Sequence, residues 1–260
     1  MGWLMVKNVR WPIGAEVRHK PIGGGGMLYD ASRAGNADAA WFDSVWWAGR
    51  GELRPAAEGR GAALFIEADA RRLVLRHYRR GGWMARWRGD RYLWRGEALT
   101  RSFQEWHLLY VMHRAGLPVP LPIAAAYRRI GRSYTADLIT EQIDGTRSLA
   151  ARLADAPLTL SSWIAIGRCV RRFHDDGICH ADLNAHNVLL DEAESVWLVD
   201  FDRGRLRHPG FWCDANLVRL RRSLEKISAR LPPEHFTEAD WASLLDGYFT
   251  AVPRTAVDAP

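Results

Sequence analysis

The stretch His180–Asp202, HADLNAHNVLLDEAESVWLVDFD, sets two short apolar runs, Val188–Leu190 and Val196–Val199, among acids and polar residues. Each run has the length and bounding residues of a buried strand, and DEAES between them supplies a turn, so the pair reads as a hairpin. Pairing the strands brings Asn187, just before the first, to the same end as Asp200, just after the second. A carboxylate and an amide oxygen at one mouth are hard ligands suited to Mg²⁺. Any one of these residues alone would read as a solvated surface group; their order carries the argument. His180–Asn187 fits H-x-D-L-x-x-x-N, and Asp200-Phe201 follows Asn187 by thirteen residues.

Phosphoryl transfer from ATP to an alcohol needs a carboxylate at the acceptor hydroxyl, metal ligands, a cation on the phosphates and backbone amides closing over them. The opening stretch offers Asp182 for the first role, and Asn187 and Asp200 for the second. The cation must come from upstream, where GRGAALFIEADARRLVLRHYRR reads as two strands, about residues 62–68 and 72–78, turning at Asp69 and Ala70. No lysine occurs between Lys20 and Lys226, so a cation on the strand is an arginine, and Arg76 has the right register. Its partner is expected on the following helix, ALTRSFQEWHLLYVMHRAG, with Glu105 best placed and Glu97 the runner-up. Gly59 and Gly61 precede the first strand and are the glycine pair placed to cover phosphates. AAAYRRIGRSYTADLITEQI reads as a hairpin leading to a hinge, where backbone around Glu141–Ile143 would meet adenine.

The chain has 260 residues, a formal net charge of +6 and 48% hydrophobic content, enough for a globular core. No window approaches a membrane span and the N-terminus lacks signal-peptide features, so a cytosolic protein is expected. Three cysteines without C-x-x-C spacing read as free thiols. Almost every cation is arginine, whose forked donors suit carboxylates and phosphates, although codon bias would give the same composition. Three segments are expected: an N-terminal extension over 1–50, in which Gly23–Gly26 reads as a flexible loop; a lobe of strands, helix and strands over 51–143; and a mainly helical lobe over 144–260. In the last, LSSWIAIGRCVRRFHDDG places Trp163, Ile166, Val170 and Phe173 on one helical face. NLVRLRRSLEKISARL and EADWASLLDGYF are two further amphipathic helices.

From Gly59 to about Val199 the chain resembles the protein-kinase-like fold. This implies an α+β, two-lobed molecule with a small antiparallel-sheet N-lobe carrying one main helix and a mainly helical C-lobe. Asp182 takes the catalytic aspartate's place, with Asn187 and Asp200 as metal ligands. Two residues depart from the pattern: Asp202 stands where glycine is usual, and Arg76 where lysine is. LRHYRRGG, GLPVPLPIAAA, HADLNAHNVLLD and VDFDRGRLR are more specific and resemble the 3-deoxy-D-manno-octulosonic acid (Kdo) kinase family, relatives of the lipopolysaccharide core heptose kinases. That resemblance implies ATP with Mg²⁺, transfer to a Kdo hydroxyl (expected 4-OH) on Kdo-lipid A precursor, and a peripheral place on the cytoplasmic face of the bacterial inner membrane. An arginine-rich chain has partners there in the sugar carboxylate, the lipid phosphates and the anionic surface; Arg203 and Arg205 are candidates for the sugar acid. The basic and aromatic segment Arg79–Arg95 could rest at the headgroup boundary or cap the first lobe. No nucleic acid and no obligate protein partner is expected. The rivals are another sugar or small-molecule kinase of the same fold, of the heptose type or of the aminoglycoside or choline type, the latter needing an acidic acceptor pocket, and a nucleotide-binding pseudokinase scaffold, which usually lacks one of the three site residues present here.

Overall fold

The computed structural model describes residues 2–6, 9–13, 16–54, 63–68, 70–79 and 90–250, the first two stretches as backbone only. The chain divides into two compact units, Met1–Val111 with Leu121–Gln142, and Met112–Pro120 with Ile143–Pro260.

In the first unit, β1 (Gly2–Val6) and β2 (Val9–Ile13) form a ribbon of their own. The main sheet contains β3 (Val17–Ile22), β4 (Gly25–Asp30), β5 (Leu53–Arg54), β6 (Ala63–Ala68), β7 (Arg71–His77), β8 (Tyr92–Leu93), β9 (Pro122–Ile130) and β10 (Ser133–Glu141). Its order is β3-β4-β9-β10-β7-β6-β5, with β8 beside the far end of β10. Every described pairing is antiparallel. The helices are α1 (Ala31–Ala34), α2 (Ser44–Gly49) and the long α3 (Arg101–Arg114). Strand alternation sorts the residues into two faces. Met27, Tyr29, Leu73, Leu75, Ala124, Ala126 and Ile139 share a core with Phe42 and Trp47. Arg76 and Tyr127 take the opposite parity, and there Phe103 of α3 sets its ring edge-on to Tyr127 at 5.4 Å.

The expected N-terminal extension is corrected on this point: residues 17–30 are two strands of the main sheet, and Phe42 and Trp47 are core side chains. The glycine run is likewise not simply a flexible loop. Gly23 and Gly24 make the β3–β4 turn, but Gly25 is a strand residue pressed against β9, where a Cβ would stand 1.9 Å from the Tyr127 carbonyl oxygen. Only glycine allows that approach. Part of the basic and aromatic segment also belongs to this unit. Tyr92 lies under the Arg101 guanidinium at 4.2 Å, and Trp94 packs on Tyr127 at 5.1 Å; Trp83, Met84 and Trp87 lie outside the described residues.

The second unit contains β11 (Arg147–Ser148), α4 (Leu149–Asp155), α5 (Leu160–Asp175), β12 (Ile178–Cys179), β13 (Val188–Leu190), β14 (Val196–Leu198), β15 (Arg205–Leu206), α6 (Trp212–Ser228) and α7 (Glu238–Thr250). Thr159 caps α5 by accepting from the Ser162 amide. Trp163, Ile166, Val170 and Phe173 are all buried, as their spacing predicts. Two glycines let α5 and α7 touch backbone to backbone. A Cβ on Gly167 would lie 2.0 Å from the Leu244 carbonyl oxygen, and one on Gly247 2.2 Å from that of Ile164. The three cysteines are free, and burial pushes the Cys169 thiol up to about 12.

Candidate active site

In the second unit, the apolar runs of the opening stretch pair as β13 and β14, with Val188 opposite Leu198. The ladder continues one step further, where the Val199 amide donates to the Asn187 carbonyl at 3.0 Å. Asp200 is therefore the next residue after the one facing Asn187. Asp200 has φ of 62°, a left-handed conformation uncommon outside glycine but tolerated by aspartate. This turn ends the strand and sends Phe201 inward, 1% exposed, onto Phe173 at 5.6 Å and His180 at 4.6 Å.

His180 joins the two functional segments. The Asp182 amide donates to Nδ1 at 3.1 Å, so Nδ1 is an acceptor; Nε2 then carries the proton and donates to the Val199 carbonyl at 2.9 Å. Burial holds this imidazole below its ordinary range, which keeps the ring neutral and preserves that tautomer. Asn216 of α6 adds a bond from Nδ2 to the His180 carbonyl at 2.9 Å. Asn187 is tied to the same loop, its Nδ2 donating to the Asp182 carbonyl at 2.9 Å. With the NH₂ end bonded to the backbone, the amide keeps its oxygen end for another partner; an amide oxygen and the Asp200 carboxylate are hard donors of the kind that fit a divalent cation.

Asp182 itself is exposed. Its Oδ1 accepts from Arg219 Nη1 at 2.8 Å and its Oδ2 from Asn184 Nδ2 at 3.1 Å. Asn184 also bonds the Asp182 carbonyl at 3.0 Å and caps the His186 amide at 2.9 Å. Sequence reasoning missed both Arg219 and Asn184. Arg219 lies on α6, whose amphipathic pattern looked like that of any surface helix. Arg203 and Arg205 are exposed. Neither lines the cavity of about 1050 Å³ that contains Asp182, whereas Arg207 does. At the Asp202 departure the backbone costs nothing. Among residues 200–204 the left-handed positions are Asp200 and Arg203, and the turn closes with Gly204 N–H on the Phe201 carbonyl at 2.7 Å.

In the first unit, Arg76 and Glu105 meet as expected, through Nη2 and Oε2. Glu105 is 3% exposed and also accepts from the Tyr78 hydroxyl at 2.6 Å; the guanidinium lies 4.7 Å from the Tyr78 ring centroid. Glu97, the alternative partner, instead accepts from Tyr127 at 2.6 Å and lies 3.0 Å from His19. One residue past Arg76, His77 is bracketed by Asp137 at 2.6 Å and Asp90 at 2.5 Å. Hydrogen bonding to Asp137, above all, pushes this imidazole up to about 9 against the cost of burial. At the expected hinge, the amides of Glu141 and Gln142 already donate to Leu121 and Arg72, and the Ile143 carbonyl accepts from Thr146. Gly59 and Gly61 lie outside the described residues.

Residues 44–248 match the Lipopolysaccharide kinase (Kdo/WaaP) family. The chain belongs to this family. The matched region contains Arg76, Glu105, Asp182, Asn187, Asp200 and the whole of α6, and it begins within α2, so β3 and β4 precede it. Among its relatives is a 3-deoxy-D-manno-octulosonic acid kinase of Xylella fastidiosa (strain 9a5c), 46% identical over 204 residues, covering 78% of this chain and 81% of the relative. A protein of the same name from Stenotrophomonas maltophilia (strain K279a) is 44% identical over 232 residues, 88% of this chain and 92% of the relative. Another, from Xanthomonas campestris pv. campestris (strain B100), is 46% identical over 207 residues, 79% and 82% of the two chains.

Proposed function

We propose that this chain is a Kdo kinase, transferring the γ-phosphoryl group of ATP to a hydroxyl of Kdo on Kdo-lipid A precursor, with the 4-OH as the acceptor. The observation that carries this reading is the tie between the three site residues. Asn187 is bonded to the backbone of Asp182, and His180 holds both the Asp182 amide and the carbonyl that precedes Asp200. Such a constellation is arranged for positioning, which is most of what phosphoryl transfer asks of a protein.

Asp182 accepts a hydrogen bond from the acceptor hydroxyl and takes its proton late in the transfer. Asp200 and Asn187 would hold Mg²⁺, whose charge, when bound, offsets that of the triphosphate. Arg76, fixed by Glu105 and Tyr78, is the cation we assign to the phosphates; a planar fork suits them as well as a lysine's point charge. Arginines around Asp182 disfavour a cationic acceptor such as an aminoglycoside. The working place is the cytoplasmic face of the inner membrane, reached peripherally. A net charge of +6 favours an anionic surface, and among the described residues no helix is long and apolar enough to cross a membrane.

The test is an acceptor panel. Purified protein, labelled ATP and Mg²⁺ are incubated with Kdo-lipid A precursor, the same lipid lacking Kdo, or an aminoglycoside. Label on the Kdo lipid alone is expected; label on the aminoglycoside, or on none, would overturn the proposal.

A further inference from the structure

The cavity beside Asp182 has a wall that the transfer chemistry does not use. Arg219, Arg222, Ser223, Lys226, Ile227 and Arg230 line it. Their spacing of three and four residues puts them on one face of α6 and its continuation. Leu217, Leu220 and Leu224 occupy the buried side of the same helix. Arg207 adds a fifth cation, and the lone carboxylate among the lining residues is Asp182.

Elsewhere in the second unit several arginines meet acids, although among the described residues the exposed Arg168, Arg203 and Arg205 do not, so it is the gathering of cations on one wall that sets this face apart. Arg221, one position off this face, pairs with Glu225 at 2.9 Å and Glu238 at 2.6 Å; Arg171 pairs with Asp175 at 2.6 Å and Arg147 with Asp155 at 2.5 Å. Among the described residues no carboxylate pairs with Arg207, Arg222, Lys226 or Arg230. Cations gathered this way repel one another, and the arrangement makes physical sense when an anion offsets the repulsion. Arg219 does have a partner, Asp182, but both side chains are more than half exposed, 53% and 59%. Such a pair is held weakly and yields to a competing anion.

We propose that this face of α6 is the anion site of the acceptor. Arg222, Lys226 and Arg230 hold phosphate or carboxylate groups remote from the reacting hydroxyl. Arg219 moves from Asp182 to a nearer anion of the acceptor, which frees the carboxylate for the hydroxyl. The inference rests on the reading of Asp182 as the base of an acceptor kinase. A volume of about 1050 Å³ is at the upper end of small-molecule sites, room for a headgroup larger than one sugar. Trp212, Val218 and Leu231 give the cavity an apolar side as well, which suits an amphipathic anion.

The experiment compares the wild type with the triple variant Arg222→Ala, Lys226→Ala, Arg230→Ala. Equilibrium binding is read with Kdo-lipid A precursor in neutral detergent micelles, the same lipid lacking Kdo, and free Kdo. Steady-state kinetics are read with the first. The side chains are exposed, so thermal unfolding should match the wild type. Binding of the Kdo lipid should weaken at least about tenfold, with the kinetic loss in the acceptor KM and not in the ATP KM. The conservative variant Arg222→Lys, which keeps the charge, should retain most of the affinity. Equal loss for the lipid lacking Kdo assigns the wall to phosphates, and loss seen also with free Kdo assigns it to the carboxylate. Unchanged binding to all three ligands, or an unchanged acceptor KM, would overturn the proposal. Wild-type protein that binds anionic lipid through this wall but transfers no phosphate would overturn the function while leaving the anion site standing.

Discussion

Replacing His180 by alanine removes a side chain that bonds both the Asp182 amide and the carbonyl just before Asp200. The ring is 2% exposed, with the Asp182 amide on one nitrogen and the Val199 carbonyl on the other. Truncation leaves both backbone groups without this partner in a place that water does not reach freely, a cost of about 1–3 kcal/mol each. It also removes the surface against which Phe201 packs. The sum is about 3–6 kcal/mol, a large fraction of the stability of an ordinary domain. Glutamine carries both a donor and an acceptor, so His180→Gln should recover part of this loss. Urea unfolding read by tryptophan fluorescence measures the stability. Activity is then read at a temperature where each variant is folded. There, transfer should still fall about a hundredfold in His180→Ala, because a displacement of about 1 Å at the base or at the metal ligands is enough to do so. A variant with the wild-type midpoint and turnover would refute the account of how the site is built.

Gly167→Ala and Gly247→Ala should each destabilise the second unit by about 2 kcal/mol or more, since a carbonyl oxygen of the facing helix already occupies the space of the new methyl; denaturant midpoints check this. Burial pushes His107 and His174 down to about 4. Each therefore contributes stability that is present above about pH 6.5 and falls by about 1.4 kcal/mol per unit as the pH drops toward 4. His77 has the opposite sign: its shift to about 9 gives stability that is full below about pH 6.5 and is lost as the pH rises through 9. Melting temperatures from pH 4.5 to 9.5 should thus pass through a maximum near neutrality, and His77→Gln should flatten the alkaline side alone. Arg219→Ala should change the acceptor KM more than the ATP KM, read by initial rates with each substrate varied in turn.

The elements with strong local signals were legible in the sequence. The hairpin of Val188–Leu190 and Val196–Leu198 and the buried face of Trp163, Ile166, Val170 and Phe173 follow from periodicity alone. The Arg76–Glu105 contact was legible because a chain without lysine between Lys20 and Lys226 leaves few choices. Strands β3 and β4 were not legible, since β4 begins with glycines that read as a turn. The reason for those glycines lies far along the chain in β9, where Tyr127 presses on Gly25. His180 was legible as part of a motif, but its bond to the Val199 carbonyl depends on the tertiary path of that strand. Arg219 and its neighbours were in plain sight as R-x-x-R-x-x-x-K-x-x-x-R. The sequence showed the spacing of that row, and only the fold shows that Asp182 lies beside it.

Asp182→Asn keeps the side-chain shape and removes the carboxylate proposed to take the proton of the acceptor hydroxyl. With labelled ATP, Mg²⁺ and Kdo-lipid A precursor, transfer should fall about 10²–10⁴-fold while the affinity for ATP stays within about threefold of the wild type. Transfer at the wild-type rate by the folded variant would show that Asp182 is not the base.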